Sequence, residues 1–346
     1  MCKSIKNCYY DKLSFSSLMD AYNRAIKGKM KKNLVYYFNL ERNIINIFNE
    51  LYNLSYKCGD YNTFTIYEPK ERIIKALPFK DRVVQQWYIY EFIKPFIVDR
   101  FIYDSYACIE GRGTHKAVDR LQYFMNKMNR INDNYYVLKC DIKKFFNNID
   151  KDILFQIMKK YISDKEVIWL TSLFVYDGED KGLAIGNYTS QYFANIYLNE
   201  LDYFVKYDLK IKYYVRYMDD FILLLNTKEE CKDVLNKINL FLKDKLNLEL
   251  NNRTKYYPNK FGIDFCGYRI YETHILIRKW CKRKIRNNNN NNNKWNKLAI
   301  TKCLDIKKMD NSFKSIYGHI KHSNCYNLKK KIIDERRKIL VKFYLG

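Results

Sequence analysis

Proline and glycine are scarce in this chain, at four and eleven residues among 346. So few breakers and turn formers exclude a collagen-like or Gly/Pro-rich low-complexity protein. Acid is the second deficit. Asp and Glu number 38 against 63 Lys and Arg, giving a formal net charge of +25 and a pI near 9.4. A field of that sign attracts polyanions, and nucleic acid is the default partner. Codon bias in an A+T-rich genome would also enrich Lys, Asn, Ile and Tyr, so charge alone does not establish that partner. None of the ten cysteines forms a C-x-x-C pair, which argues against a zinc ribbon or knuckle. Several sit in apolar runs as small hydrophobes, a pattern that fits a reducing cytoplasm. Met1-Cys2-Lys3-Ser4-Ile5-Lys6 lacks the apolar run of a signal peptide, and no stretch reaches the ~18 apolar residues of a membrane span. What is present is 47% hydrophobic and 17% aromatic residues, the composition of a globular chain with length for about two domains.

Residues 13–56 read as helical and basic, with Leu18, Ala21, Tyr22 and Ala25 on one face. Residues 62–69 alternate as a strand. Val83 to Phe101 reads as a long amphipathic helix, interrupted or kinked near Pro95. Gly111-Arg112-Gly113-Thr114 is a tight basic turn in which Thr114 is placed to cap the next helix. Tyr135 to Cys140 is a strand ending at Asp141, and Asp150 is placed to cap a helix carrying Leu154, Ile157, Met158 and Tyr161. Gly182 to Asn187 is a loop, Thr189 to Val205 a helix, Tyr213 to Leu225 a hairpin, and Glu229 to Leu246 an amphipathic helix. Phe265-Cys266-Gly267-Tyr268 lies in a further strand pair. From about 276 the chain is basic and helical, and the seven consecutive Asn at 287–293 read as a disordered loop. No βαβ alternation carries a Gly-rich phosphate loop, so the class is α+β with an antiparallel sheet.

Two acids, Asp219 and Asp220, interrupt the apolar hairpin. Hairpin turns need positive φ and prefer Asn-Gly or Asp-Gly, so Asp-Asp is poor turn chemistry. Adjacent negative charges beside apolar strands are costly unless a cation neutralises them. Asp141 ends another apolar strand. Three carboxylates on neighbouring strand ends can hold two Mg²⁺ ions about 3.5–4 Å apart for in-line phosphoryl transfer. An exposed acidic turn with an unrelated strand-end Asp is the blander alternative.

Several motifs occur in order. Lys70-Glu71-Arg72-Ile73-Ile74 precedes Asp81-Arg82-Val83-Val84-Gln85. Asp141-Ile142-Lys143-Lys144-Phe145-Phe146 and Tyr217-Met218-Asp219-Asp220 come next, then Asn251-Asn252-Arg253-Thr254-Lys255 and Phe265-Cys266-Gly267-Tyr268. In this order the chain resembles the reverse transcriptase family. The resemblance implies a right-hand polymerase fold: an N-terminal helical basic extension at 1–60, fingers at 61–130, a palm at 131–275 with part of the fingers inserted near 150–185, and a helical basic thumb at 276–346. It implies that Asp141, Asp219 and Asp220 are catalytic, with the backbone carbonyl of Ile142 as a further ligand to Mg²⁺. Phe146 matches the steric gate against a ribose 2′-hydroxyl, Arg72 a contact to the incoming triphosphate, and Lys255 a general acid toward pyrophosphate. Lys75 and Lys80 match lesser helpers. Arg112, Ser190, Phe265, Gly267 and Tyr268 fall to primer and template.

The Gly182-to-Gln191 segment carries the subfamily signal. Intron-type bacterial reverse transcriptases typically have Gln-Gly with Ser-Pro four residues later; this chain has Ile185-Gly186 and Ser190-Gln191. That departure resembles the reverse transcriptases of diversity-generating retroelements. Ile185, Gly186 and Gln191 then border the nucleotide. The implied enzyme copies a template-repeat RNA with errors at template adenines and works with a small basic accessory protein. Retron, phage-defence and intron-type enzymes are the alternatives, and a basic RNA-binding scaffold is the non-enzymatic one. His319-x-x-His322-x-x-Cys325 has metal-like spacing with no nearby fourth ligand, so a packed helix–turn is expected there. A ribonuclease H or zinc-bearing endonuclease domain is not expected within this length.

Overall fold

The computed structural model describes residues 4–28, 38, 40–67, 71–178, 181–279, 282–283 and 289–345. Lys70, Lys284, Arg286, Asn287 and Asn288 lie outside them. Among the described residues the first helices are α1 (Tyr9–Lys12), α2 (Phe15–Ile26) and α3 (Leu40–Tyr52). A hairpin, β1 (Asn62–Ile66) and β2 (Arg72–Ala76), leads to α4 (Phe79–Tyr88). Then come α5 (Thr114–Asn129), β3 (Tyr136–Asp141), α6 (Phe145–Asn148), α7 (Lys151–Tyr161), α8 (Lys165–Val175) and α9 (Tyr188–Tyr203). Strands β4 (Tyr214–Tyr217) and β5 (Asp220–Leu225), helix α10 (Lys228–Leu246) and strand β6 (Lys255–Pro258) succeed them. Strands β7 (Ile263–Phe265), β8 (Tyr268–Ile270) and β9 (Ile275–Ile277) precede the last helices, α11 (Asn289–Ile300), α12 (Ile306–Lys321) and α13 (Tyr326–Leu345). The α+β class stands: β1 with β2, β3 with β6, β7 with β8 and β8 with β9 all pair antiparallel.

Strand order is β4-β5-β3-β6 in the larger sheet and β7-β8-β9 in the smaller. The chain divides into two compact units, one of residues 1–111, 140–221 and 232–254, the other of 112–139, 222–231 and 255–346.

In the first unit the apolar faces of α2 and α4 meet. Leu18, Ala21, Val83, Val84, Trp87 and Tyr88 are all fully buried, and a side chain the size of Leu18 or Val83 contributes roughly 1.5–3 kcal/mol by leaving water. The Trp87 indole N–H donates to the Lys12 carbonyl at 3.2 Å and to Ser17 Oγ at 3.1 Å, so its one polar atom is satisfied. Starts are set by side-chain caps. Ser14 and Ser17 form a capping box, and Asp150 accepts from the backbone N–H groups of Asp152 and Ile153, as expected.

The helix expected from Val83 to Phe101 begins earlier, at Phe79, and is interrupted around Pro95, as expected. After α4 the chain runs through a π-helical turn, Ile89–Ile93, a short helical turn, Lys94–Phe96, and a 3-10 turn, Val98–Arg100. Pro95 lacks an N–H, and the backbone around it adopts other hydrogen-bond spacings. A second π turn, Phe204–Asp208, extends α9.

In the second unit, Thr114 does not cap α5. Gly113, at φ 119°, is the N-cap and Thr114 is the first helical residue. The Cys266-Gly267 turn between β7 and β8 has φ values of 48° and 88°, the left-handed pair that two-residue hairpin loops require. The Asn run also departs from expectation: Asn289 to Asn293 form the first turns of α11. Asn is a mediocre helix former rather than a breaker, and buried Trp295 and Ala299 anchor that helix, which packs on α13.

Candidate active site

The acid turn is built by strain and a buried ion pair. Met218, rather than either acid, takes the left-handed conformation, with φ 56°. Asp220 is already the first residue of β5, so the acids are not both in the turn. A non-glycine residue held there costs of order 1–3 kcal/mol. Arg216, fully buried, holds it: Nη1 donates to the Met218 carbonyl and to Asn195 Oδ1, both at 3.1 Å. Its Nε and Nη2 fork onto the two Asp202 oxygens at 2.7 and 2.6 Å, and the Tyr214 hydroxyl donates to Asp202 Oδ1 at 2.6 Å. Burial works to lower the Arg216 pKa, but the Asp202 carboxylate outweighs it and holds it above its ordinary value. Sequence reasoning missed this network. Its signal was present: an Arg within Tyr213-Tyr214-Val215-Arg216 and an Asp within an apolar helix are charges where no charge should survive unpaired.

Asp141 arrives from the end of β3. The Ile142 N–H donates to the Asp219 carbonyl at 3.2 Å, and the Asn251 N–H donates to the Asp141 carbonyl at 2.7 Å. Ile142 also pairs with Leu250. These bonds place the backbone of 141–142 against that of 219, so the strand-end acid and the turn acids share one locality. All three acids are half-buried, and Ile142 is buried. Among the described residues, no three His, Cys, Asp or Glu side chains are gathered as a metal cage. The oxygens near this junction, on the Asp141, Asp219 and Asp220 carboxylates and the Ile142 carbonyl, are all hard, a chemistry that fits Mg²⁺. That ion takes one or two carboxylates and leaves its other positions to water and phosphate.

Phe146 stands on α6, half-buried, its ring 5.5 Å from that of Phe145. The loop 182–187 lies beside it. The Leu183 N–H donates to the Phe146 carbonyl at 2.7 Å, and the Lys75 N–H of β2 donates to the Ile185 carbonyl at 2.9 Å. A cavity of about 210 Å³ lies here, its walls including Ile73, Lys75, Asn147, Gly182, Ala184 and Ile185. Arg72 is exposed at the start of β2, and Lys80 pairs with Glu50 instead. The loop is backed by a polar chain: Asn187 Nδ2 donates to the Tyr61 hydroxyl at 2.7 Å, Tyr61 donates to Asp177 at 2.9 Å, and the buried Lys151 pairs with Asp177. The Tyr188 N–H at the start of α9 donates to buried Gln85 at 3.0 Å. Ser190 is buried and Gln191 exposed on the first turn of α9.

The remaining expected residues fall in the second unit. Lys255 is exposed, its ammonium 5.4 Å from the Tyr257 ring centre, and Arg112 is half-buried. Phe265 and Tyr268 are fully buried, with Gly267 at the turn between them. The Tyr268 hydroxyl donates to the His319 carbonyl at 2.8 Å and lies 3.1 Å from His115 Nε2. His115 and His322 stack at 4.3 Å, and His322 Nε2 is 2.9 Å from Asp119. Burial first, then the neighbouring imidazoles, hold His115 and His319 below the ordinary histidine pKa. Burial alone would raise the Asp264 pKa, but Arg269, Arg278 and Lys139 together hold it low. Among the described residues, no helix is long and apolar enough to cross a membrane.

The family described as reverse transcriptase (RNA-dependent DNA polymerase) matches residues 67–270, more than half of the chain. A putative COX1/OXI3 intron 2 protein of Saccharomyces cerevisiae is 35% identical over 79 residues, 22% of this chain and 9% of that protein. The structure of apo telomerase from Candida tropicalis, truncated from its C-terminal domain, aligns with a TM-score of 0.50 at 14% identity, over 66% of this chain and 59% of that one. That likeness concerns the fold alone, and the chain spans a small part of the first relative and somewhat over half of the second. The match across 67–270 embraces both acid motifs, and the chain belongs to the reverse transcriptase family.

Proposed function

We propose that this protein is an RNA-directed DNA polymerase, and that it makes error-prone cDNA from a template-repeat RNA in a diversity-generating retroelement. The observation that carries the polymerase reading is the backbone bond between Ile142 and Asp219, which joins the two acid motifs at one place. Asp141, Asp219 and the Ile142 carbonyl would hold two Mg²⁺ ions, with Asp220 supporting them. Bound there, Mg²⁺ supplies charge stabilisation for in-line displacement at a phosphate. The chain's own residues do the rest. Arg72, exposed on β2, offers a planar guanidinium to a triphosphate. The Phe146 ring gives a 2′-hydroxyl neither room nor a partner. Lys255 is assigned the leaving pyrophosphate. Arg112, Ser190, Phe265, Gly267 and Tyr268 are assigned to primer and template, and the partners are template RNA, primer, deoxynucleotides and a small basic accessory protein. In these terms 1–60 is an extension, 61–130 fingers, 131–275 palm and 276–346 thumb.

Support for the mutagenic reading is Ile185. Its half-buried side chain stands in the cavity wall with Leu183 and Ala184. An aliphatic residue there offers no hydrogen bond to a templating base, and one such bond is worth about 1–3 kcal/mol of discrimination. The test is Ile185→Gln with cDNA sequencing: misincorporation at template adenines should fall about tenfold or more, and an unchanged spectrum would remove this account. The second reading, an intron-type enzyme, is favoured by the likeness to the yeast intron protein. Template and variable repeats with an accessory gene in the flanking DNA would decide for the first.

A further inference from the structure

The loop between Gly182 and Gly186 touches two elements, and at both contacts the backbone leaves no room for a side chain. Gly182 has φ +81°, and a Cβ there would lie 2.8 Å from the Phe146 and Asn147 carbonyl oxygens and 2.9 Å from Asn147 Cα. All three are backbone atoms of α6, so no rotamer change relieves them. The Gly182 N–H donates to the Ile149 carbonyl at 2.9 Å and the Leu183 N–H to that of Phe146. One end of the loop is therefore fastened to the gate helix at Phe146 and to Ile149, the residue that follows it. At the other end Gly186 has φ +135°, and a Cβ would lie 2.5 Å from the Lys75 carbonyl oxygen. There the Lys75 N–H donates to the Ile185 carbonyl. The cavity lies along the loop between these two fastenings.

We propose that this loop is a strap that sets the spacing between the Phe146 gate and strand β2, and that Gly182 is the positioning residue through which it holds the gate. The inference rests on the reading of Phe146 as a sugar gate. On that reading the ring excludes a hydroxyl by close fit, so whatever fixes the α6 backbone fixes sugar selectivity. A side chain at Gly182 must push the Phe146 and Asn147 carbonyls away, carrying the ring with them.

The experiment is single-nucleotide extension with dNTP and with rNTP, comparing the ratio of kcat/KM values in wild type, Gly182→Ala, Gly178→Ala and Phe146→Ala. Gly178 has φ +87° with nothing within 4 Å of its would-be Cβ, so its variant carries the same kind of backbone strain without the collision. The strap predicts a change in the dNTP:rNTP ratio on the order of tenfold for Gly182→Ala, since displacement of about an ångström can cost a hundredfold, and no change for Gly178→Ala. A folded Gly182→Ala enzyme with the wild-type ratio overturns the strap. A wild-type ratio in Phe146→Ala overturns the gate reading instead, which separates the two failures. Should Gly182→Ala show no cooperative melt, Gly186→Ala at the exposed end decides: it must also move the ratio, and a wild-type value rejects the proposal.

Discussion

Replacing Arg216 by Met should damage both stability and catalysis, and the two losses can be separated. The Arg216–Asp202 pair has no exposed side-chain surface on either partner. Removing one member strands the other charge, and such breaks cost about 3–5 kcal/mol. The Tyr214 hydroxyl still donates to Asp202, which favours the lower end of that range. Against a total stability of roughly 5–15 kcal/mol, the loss is large. The double variant Arg216→Met/Asp202→Leu removes both charges, and apolar replacement of a buried pair is often close to neutral. Its denaturation midpoint should return toward wild type. Its extension rate should not, because the Met218 carbonyl still lacks its donor beside Asp219, and a misplaced catalytic group costs about ten- to a hundredfold. Urea denaturation and single-turnover primer extension on RNA with Mg²⁺ read the two effects. An unchanged midpoint in Arg216→Met would refute the buried-charge argument. Recovery of rate together with stability in the double variant would show that the turn does not need Arg216.

Asp219→Ala should abolish primer extension while RNA binding, measured by filter retention at fixed salt, stays near wild type; loss of both together would mean that the acid is structural. The His115 and His319 pKa values are lowered in the fold, so the unfolded chain takes up protons first. Their contribution to stability is therefore present above the ordinary histidine pKa of about 6.5 and is lost as pH falls through the lowered values. The denaturant midpoint should drop between pH 7.5 and 5.5, less so in His115→Gln/His319→Gln; equal slopes in both proteins would rule this out.

Much of the site was legible in the sequence because its signals are local. A charge ending an apolar run marked Asp141 and Asp219, and Asp150 and the amphipathic helices emerged from spacing. The misses are tertiary. Nothing within the hairpin says that Met218, rather than an acid, takes the left-handed conformation; the reason is Arg216, held by an aspartate fourteen positions earlier on another element. Strand β1 alternates as if half-buried, yet all five of its residues are exposed, because alternation does not report whether a second layer covers the strand. Asn289 to Asn293 are helical because Trp295 and Ala299, later in the same helix, are buried, and not through any preference of Asn itself.

The two π turns bear on how this chain tolerates deletions. Each closes its hydrogen bonds over five residues, as where the Lys94 N–H meets the Ile89 carbonyl, so each holds one residue more than an α-helical path needs. Deleting that residue would cost no hydrogen bonds and would make the helix more regular. It would also turn everything beyond by roughly 100°, swinging Ile97, buried past the first π turn, toward the side of a neighbouring face. The length of these helices is therefore enforced by the core they pack into and not by their own backbone, and a shortened chain would be locally sound while fitting nothing around it.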